Sequence, residues 1–173
     1  CRASPSYRSL IGTTVGVGGK SIVLDGTPAQ KDRYLPAIAR GEIVVSFCLT
    51  EPESGSDAAS LRTRASREGD EWIITGTKRF ISNAPSAGLF LVMARTDPDS
   101  HGADGISAFL VDSGTEGISV APPWKKMGHR GAPIADVHFD RCRVPAGALL
   151  GGREGEGFGT ARKVLDDGRI HVG

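Results

Sequence analysis

Beyond Glu42 the apolar residues of this chain come in short β-branched or aromatic runs, each closed by Gly, Pro, Asp or Ser. The runs are Val44 to Leu49, Trp72 to Ile74, Leu89 to Ala94, Ile106 to Val111 and Val137 to Phe139. Ile118 to Val120 and Arg143-Val144 are weaker members, and a long polar loop, Thr96 to Gly105, joins two of the stronger runs. Segments this short, rich in strand formers and regularly punctuated, predict an antiparallel β-barrel or sandwich.

Helical texture flanks this region. From Ser9 to Leu24 apolar residues recur loosely at three and four around Gly12, Gly16, Gly18 and Gly19, which predicts a closely packed helix. Thr27-Pro28-Ala29-Gln30 carries the capping-box pattern, so a short helix through Tyr34 follows. Pro36 disfavours a helical Leu35, and a further turn, Ala37 to Arg40, is expected to end at Gly41. Near the far end GFGTARKVLDD places Phe158, Ala161, Val164 and Leu165 near one helical face. The expected class is α+β: a small antiparallel β-domain over 43–153, flanked by partial helical domains over 1–42 and 154–173.

Charge excludes some partners. The 21 Lys and Arg against 20 Asp and Glu leave a net charge of +1, so no global field recruits nucleic acid. With 39% hydrophobic and 24% charged residues a packed core is expected. No run approaches the roughly 18 apolar residues of a membrane span, and CRASPSYRSL lacks a signal-peptide core and a starting Met, so a soluble, truncated chain is expected. Cys1, Cys48 and Cys142 match no disulfide or zinc spacing, which favours a reducing compartment.

Two segments carry chemistry. In FCLTEPESGSD, Phe47 to Asp57, a strand runs into a turn: Thr50 offers a hydroxyl at the strand end, and Ser54 to Ser56 offer N–H groups and hydroxyls suited to a phosphate. In Lys78 to Ala84 an aromatic, Phe80, precedes a hydroxyl, Ser82, by two residues; in a strand both project from one face and could hold a planar ring. Read alone, each is also what a strand with a hydroxyl-capped turn, or a half-buried strand end, looks like.

Together, FCLTEPESGSD, FISNA two dozen residues later and the upstream GTPAQKDRYLPAIARGE resemble the acyl-CoA dehydrogenase family. Lys126-Met127-Gly128, the DVHFDRCRVPAGALLG run and Leu165 to Arg169 extend the resemblance over nearly the whole chain, and Phe47 to Ser60 looks closest to the very-long-chain branch. The resemblance implies FAD-dependent oxidation of an acyl-CoA to a trans-2-enoyl-CoA, with electrons passed to an electron-transfer flavoprotein by a homo-dimer or homo-tetramer. It places the activity in bacterial cytoplasm or the mitochondrial matrix.

Carried over by residue, the resemblance assigns Phe47, Cys48, Leu49, Thr50, Ser56, Phe80, Ile81 and Ser82 to the flavin, with the Thr50 hydroxyl on the ring's polar edge. Ser56, Asp57, Asp166 and Arg169 are assigned to the acyl-CoA. Phe80 departs from the family's usual Trp, keeping a stacking face but losing the indole N–H. The catalytic Glu is expected beyond the chain end, because the alternative family position is matched by Gly168 and the flanking Asp167 lies about 100° around a helix from it.

Other signals carry less. The Asp97 to Gly102 loop has His101 at the third ligand position of a calcium loop and Ala108 at the twelfth. Gly155, Gly157 and Gly159 follow no strong strand, and the four His have no metal spacing. Pro52 breaks the alternation that would pair Glu51 with Glu53, so neither is given a catalytic role. The residues also leave open a flavin monooxygenase or acyl-CoA oxidase, or a binding or assembly module without turnover.

Overall fold

The computed structural model describes residues 6–172, with side chains from Ser6 to Asp166; Cys1 lies outside them. The Ser9 to Leu24 segment is helical but not uniformly α: α1 (Ser6–Ile11) passes into a π-helical stretch, Gly12–Gly19, and returns to α in α2 (Lys20–Asp25). Gly18 lets this stretch pack closely. The π stretch lies against the first strand, and a side chain at Gly18 would collide with that of Val45.

Thr27 and Gln30 form the expected capping box at the start of α3 (Pro28–Ala39). The helix does not break at Leu35. Pro36 sits inside it, because buried Tyr34 and Ile38 on either side anchor the turn and the chain closes by Gly41 N–H to Ile38 O and Glu42 N–H to Ala37 O. A proline costs a helix one hydrogen bond, and burial outweighs it here.

Seven strands follow: β1 (Val45–Cys48), β2 (Arg64–Glu68), β3 (Glu71–Ser82), β4 (Leu89–Arg95), β5 (Ile106–Asp112), β6 (Ile118–Val120) and β7 (Ile134–Pro145). The sheet is ordered β1-β4-β2-β3-β7-β6, with β5 also on β4. Most pairings are antiparallel as expected, but β1 runs parallel to β4 and β2 touches β4 in parallel at Arg64 and Arg95. The β2–β3 hairpin is inserted between β1 and β4, so the chain re-enters β4 in the direction of β1. Polar β2, RASRE, buries only Ala65 and carries no hydrophobic signal.

The curled sheet has a core on each face. Phe90, Val92, Ala94, Phe109 and Val111 of β4 and β5 face a cluster with Trp72, Ile74, Ile81, Val137 and Phe139, inside the curl. The alternate residues Leu89, Leu91, Met93, Ile106, Ala108 and Leu110 face Ile22, Tyr34, Ile38 and Ala161 of the helices. Period-2 alternation in a strand buried on both faces gives a continuous apolar run, which is what LFLVMA and ISAFLV show.

Helix α4 (Gly157–Val172) lies on this second face, with Ala161 and Val164 buried. Its first residue must be Gly, since a Cβ there would meet the backbone of Ser107 and Ala108. Asp25 ties the flanks together, accepting from Thr160 Oγ1 at 2.6 Å and Lys163 Nζ at 2.8 Å.

Candidate functional site

The two segments singled out in the sequence are brought side by side. Ser46 Oγ donates to Ser82 O at 2.8 Å, and Arg79 N–H donates to Thr50 O at 2.8 Å. Lys78, fully buried, donates from Nζ to Leu49 O at 3.2 Å and to Glu51 Oε1 at 2.7 Å. Thus the end of β1 is bolted to the distal half of β3 although the two are not adjacent strands.

The bolt is a buried ion pair whose carboxylate is fully engaged: Glu51 also accepts from Arg62 N–H at 2.6 Å and Thr63 N–H at 3.0 Å. Burial pushes the Glu51 carboxyl up, but the Lys78 ammonium and these hydrogen bonds outweigh it and hold the group below its usual range. Such a pair adds little net stability over an apolar replacement, yet breaking one side of it is costly, so its evident effect is to fix geometry.

Around this bolt the expected flavin contacts point in different directions. Phe47 and Leu49 are half-buried toward the helix-side core, whereas Cys48 and Ile81 are buried inside the curl. Cys48 and Ile81 can therefore offer a ligand only their backbone. Thr50 and Ser82 are half-buried, and Phe80 is 53% exposed.

Simple alternation fails at Phe80. The β3–β7 register shifts between Lys78 and Ile81, so both of these point inward three residues apart, and Phe80 takes up the bulge at a φ of 56°. A left-handed conformation costs a bulky residue about 1–2 kcal/mol. Asp136 on β7 offsets that cost by accepting the Phe80 N–H on Oδ1 at 3.2 Å.

The same Oδ1 accepts Trp124 Nε1–H at 2.9 Å, and Oδ2 accepts Arg79 Nε–H at 3.3 Å. The Phe80 and Trp124 ring centroids are 5.3 Å apart. Burial works to raise the Asp136 carboxyl, but the Trp124, Phe80 and Arg79 donors hold it below its usual value. An open cleft of about 430 Å³ is lined by Ala121 to Lys125 and Asp136.

The serine turn is less open than its sequence suggests. Ser54 is buried and donates its hydroxyl to Asp57 O at 2.7 Å, so of the expected phosphate hydroxyls only Ser56 is presented to solvent, beside exposed Asp57. Asp57 in turn accepts from the Ser60 hydroxyl. Asp166 is exposed on α4, which packs on β5, α2 and the π stretch; the Arg169 side chain lies outside the described residues.

Sequence reasoning missed Lys78, Trp124 and Asp136. Lys78 was visible as the inward member of the alternation Trp72, Ile74, Gly76, Lys78, where a charge inside a strand's buried face demands a partner. Trp124 and Asp136 gave no such signal, because only the fold sets the 121–125 loop beside β7 and the bulge.

These features define a curled β-domain with a helical layer on one face and a strand-end site held by a buried ion pair. The acyl-CoA dehydrogenase middle-domain model matches residues 46–142 and the N-terminal-domain model residues 1–42. The chain belongs to the acyl-CoA dehydrogenase family. It is 43% identical over 165 residues to a probable acyl-CoA dehydrogenase of Mycobacterium leprae, covering 95% of this chain and 42% of the relative. It is 46% identical over 170 residues to the human mitochondrial very long-chain specific acyl-CoA dehydrogenase, covering 92% of this chain and 26% of that one. The chain thus spans less than half the length of these relatives.

Among solved structures, butyryl-CoA dehydrogenase from Megasphaera elsdenii superposes with a TM-score of 0.93 at 35% identity, over 98% of this chain and 44% of that one. A glutaryl-CoA dehydrogenase from Mycobacterium smegmatis in complex with FADH2 superposes at 0.86 and 35% identity, over 95% and 40%. Among the described residues no helix is long and apolar enough to cross a membrane.

Proposed function

We propose that this chain supplies the FAD- and acyl-CoA-binding region of an acyl-CoA dehydrogenase that converts an acyl-CoA thioester to a trans-2-enoyl-CoA. The observation that carries the reading is the bolting of β1 to the bulged end of β3, which brings the backbone of Thr50 beside Arg79 and Ser46 beside Ser82, so that the two segments share one end of the sheet with exposed Phe80 between them. An exposed aromatic face, apolar neighbours and strand-end hydroxyls are the donor set that suits a ring apolar on its faces and polar at its edge.

In this reading residues 43–153 form the cofactor and substrate domain, with 1–42 and 154–173 belonging to helical domains on either side. Thr50 would hold the polar edge of FAD by its hydroxyl, Phe80 a ring face, and the backbone of Cys48 and Ile81 the remainder. Bound there, FAD supplies the acceptor for the hydride that leaves the acyl chain. The chain's own part is to orient the thioester through Ser56, Asp57, Asp166 and Arg169 and to keep water from the ring. Removal of the α-proton falls to a Glu outside these residues, and an electron-transfer flavoprotein and a homo-oligomer complete the system.

Titration with FAD tests this. In a complete protein carrying these residues a saturable change in the flavin's visible absorption is expected, and palmitoyl-CoA should perturb that spectrum where free CoA does not, whereas the 173 residues alone should bind FAD weakly or not at all because much of the cofactor's burial lies outside them. An unchanged flavin spectrum at every concentration in the complete protein would overturn the reading.

A further inference from the structure

Strand β1 ends at Cys48, where its ladder with β4 stops, so Leu49, Thr50 and Glu51 have no neighbouring strand to fix their course. Each is nevertheless held. Lys78 Nζ donates to Leu49 O at 3.2 Å and to Glu51 Oε1 at 2.7 Å, Arg79 N–H donates to Thr50 O at 2.8 Å, and Glu51 N–H donates to Ser54 O at 2.9 Å. The Glu51 carboxylate is pinned in turn by the Arg62 and Thr63 N–H groups.

Within this clamp Thr50 alone keeps donors in reserve. Its carbonyl is engaged, but among the described residues nothing accepts from its N–H or its hydroxyl, and the residue is half-buried. Donors on a residue whose backbone cannot turn away are preset for an acceptor, because the ordering is settled in folding and is not lost again on binding. An apolar pair in place of Lys78 and Glu51 could pack as stably. It could not grip the Leu49 carbonyl, and the link from β3 to the residue before Thr50 would be gone.

We propose that the Lys78–Glu51 pair is a positioning device for Thr50: through Leu49 O and the Glu51 backbone it keeps the Thr50 hydroxyl in place for an acceptor on the bound ligand. The inference rests on the reading above, in which that acceptor belongs to FAD. Lys78 and Glu51, at 0% and 6% exposure, act from beneath the surface. Reduced flavin carries more negative charge than oxidised flavin, so a donor held in place favours the reduced form and a donor set loose favours it less.

The test uses the complete, FAD-loaded protein with Lys78→Met and Glu51→Gln combined, which removes both buried charges and leaves a side-chain oxygen near the Arg62 and Thr63 N–H groups. Read against a reference dye, the ratio of reduced to oxidised flavin should fall about three- to tenfold, a potential lower by about 15–30 mV. In a Thr50→Val background the same two changes should alter that ratio less than about twofold, since the group they act through is gone. Should the combined variant lose its fold or its FAD, Glu51→Gln alone, which keeps an acceptor for Lys78, is read in the same way.

A potential equal to wild type in the folded, FAD-loaded variant would overturn the inference and leave the flavin reading standing. An equal shift in both backgrounds would overturn it too, because the pair would then act on the flavin by some route other than Thr50. A complete protein that binds no FAD would overturn the reading, and the inference with it.

Discussion

A single buried charge shows how strongly one residue can be committed to geometry. Lys78 has no exposed surface, and its partner Glu51 is held by two further N–H groups. Lys78→Met leaves the carboxylate buried without its counter-ion and is expected to cost about 3–5 kcal/mol in urea unfolding, whereas Glu51→Leu with Lys78→Met should recover only the part due to the unpaired charge, because the Arg62 and Thr63 N–H groups then lose their acceptor. Glu51's folded value lies below its unfolded one, so its contribution is full above about pH 4.3 and fades as pH falls through the folded value. The acid limb of the stability curve should therefore be flatter in Glu51→Gln. Thr50→Val tests the flavin contact proposed for the neighbouring hydroxyl: it keeps volume, and in a complete, FAD-loaded protein it should destabilise reduced flavin by about 1–3 kcal/mol. A midpoint potential and substrate reduction rate equal to wild type in that folded variant would remove Thr50 from the proposed contact.

At the level of elements, one side chain makes three of the hydrogen bonds that join the helical flank to the β-domain. Gln30 accepts from Thr27 and Gly151 N–H at 3.0 and 3.1 Å and donates to Gly147 and Leu149 O at 2.9 and 2.8 Å, buried throughout. Gln30→Leu strands four backbone groups and is expected to cost about 2–4 kcal/mol, measured by chemical denaturation, against about 0.5–1 for Gln30→Glu if only the cap mattered. The capping half of this role was legible from Thr27-Pro28-Ala29-Gln30, because capping is local. The other half was not, since Gly147 and Leu149 lie well over a hundred residues away. Pro36 is the converse case: its local penalty is real, and the contacts of Tyr34 and Ile38 with distant strands decide that the helix continues.

Across the whole molecule the sheet separates two cores, and the described free thiols lie in the one enclosed by the curl. Burial pushes Cys48 up to about 12, opposed by Lys78, and Cys142 up to about 11. A raised folded value means that the native state keeps protons the unfolded chain loses, so stability is intact below about pH 8.5 and falls as pH rises toward those values. Each thiol should contribute a slope of about 1.4 kcal/mol per pH unit in that window. Guanidinium titrations between neutral and alkaline pH should show this decline, and Cys48→Ala with Cys142→Ala should flatten it; an unchanged slope would mean the thiols ionise in place.

Five short apolar runs, a capping box and an ordered set of motifs were enough to give the α+β class, the strand-rich middle and the family, because each depends on residues close in sequence. Even the apolar continuity of β4 and β5 already implied burial on two faces. The tertiary structure alone decided the parallel pairing of β1 with β4, the strand formed by polar RASRE, the bulge that turns Phe80 outward and the meeting of Trp124, Phe80 and Asp136. Those outcomes rest on contacts between segments tens of residues apart, where a weak or adverse local preference of about 1–2 kcal/mol is overruled by burial and by hydrogen bonds that exist only once the sheet has curled.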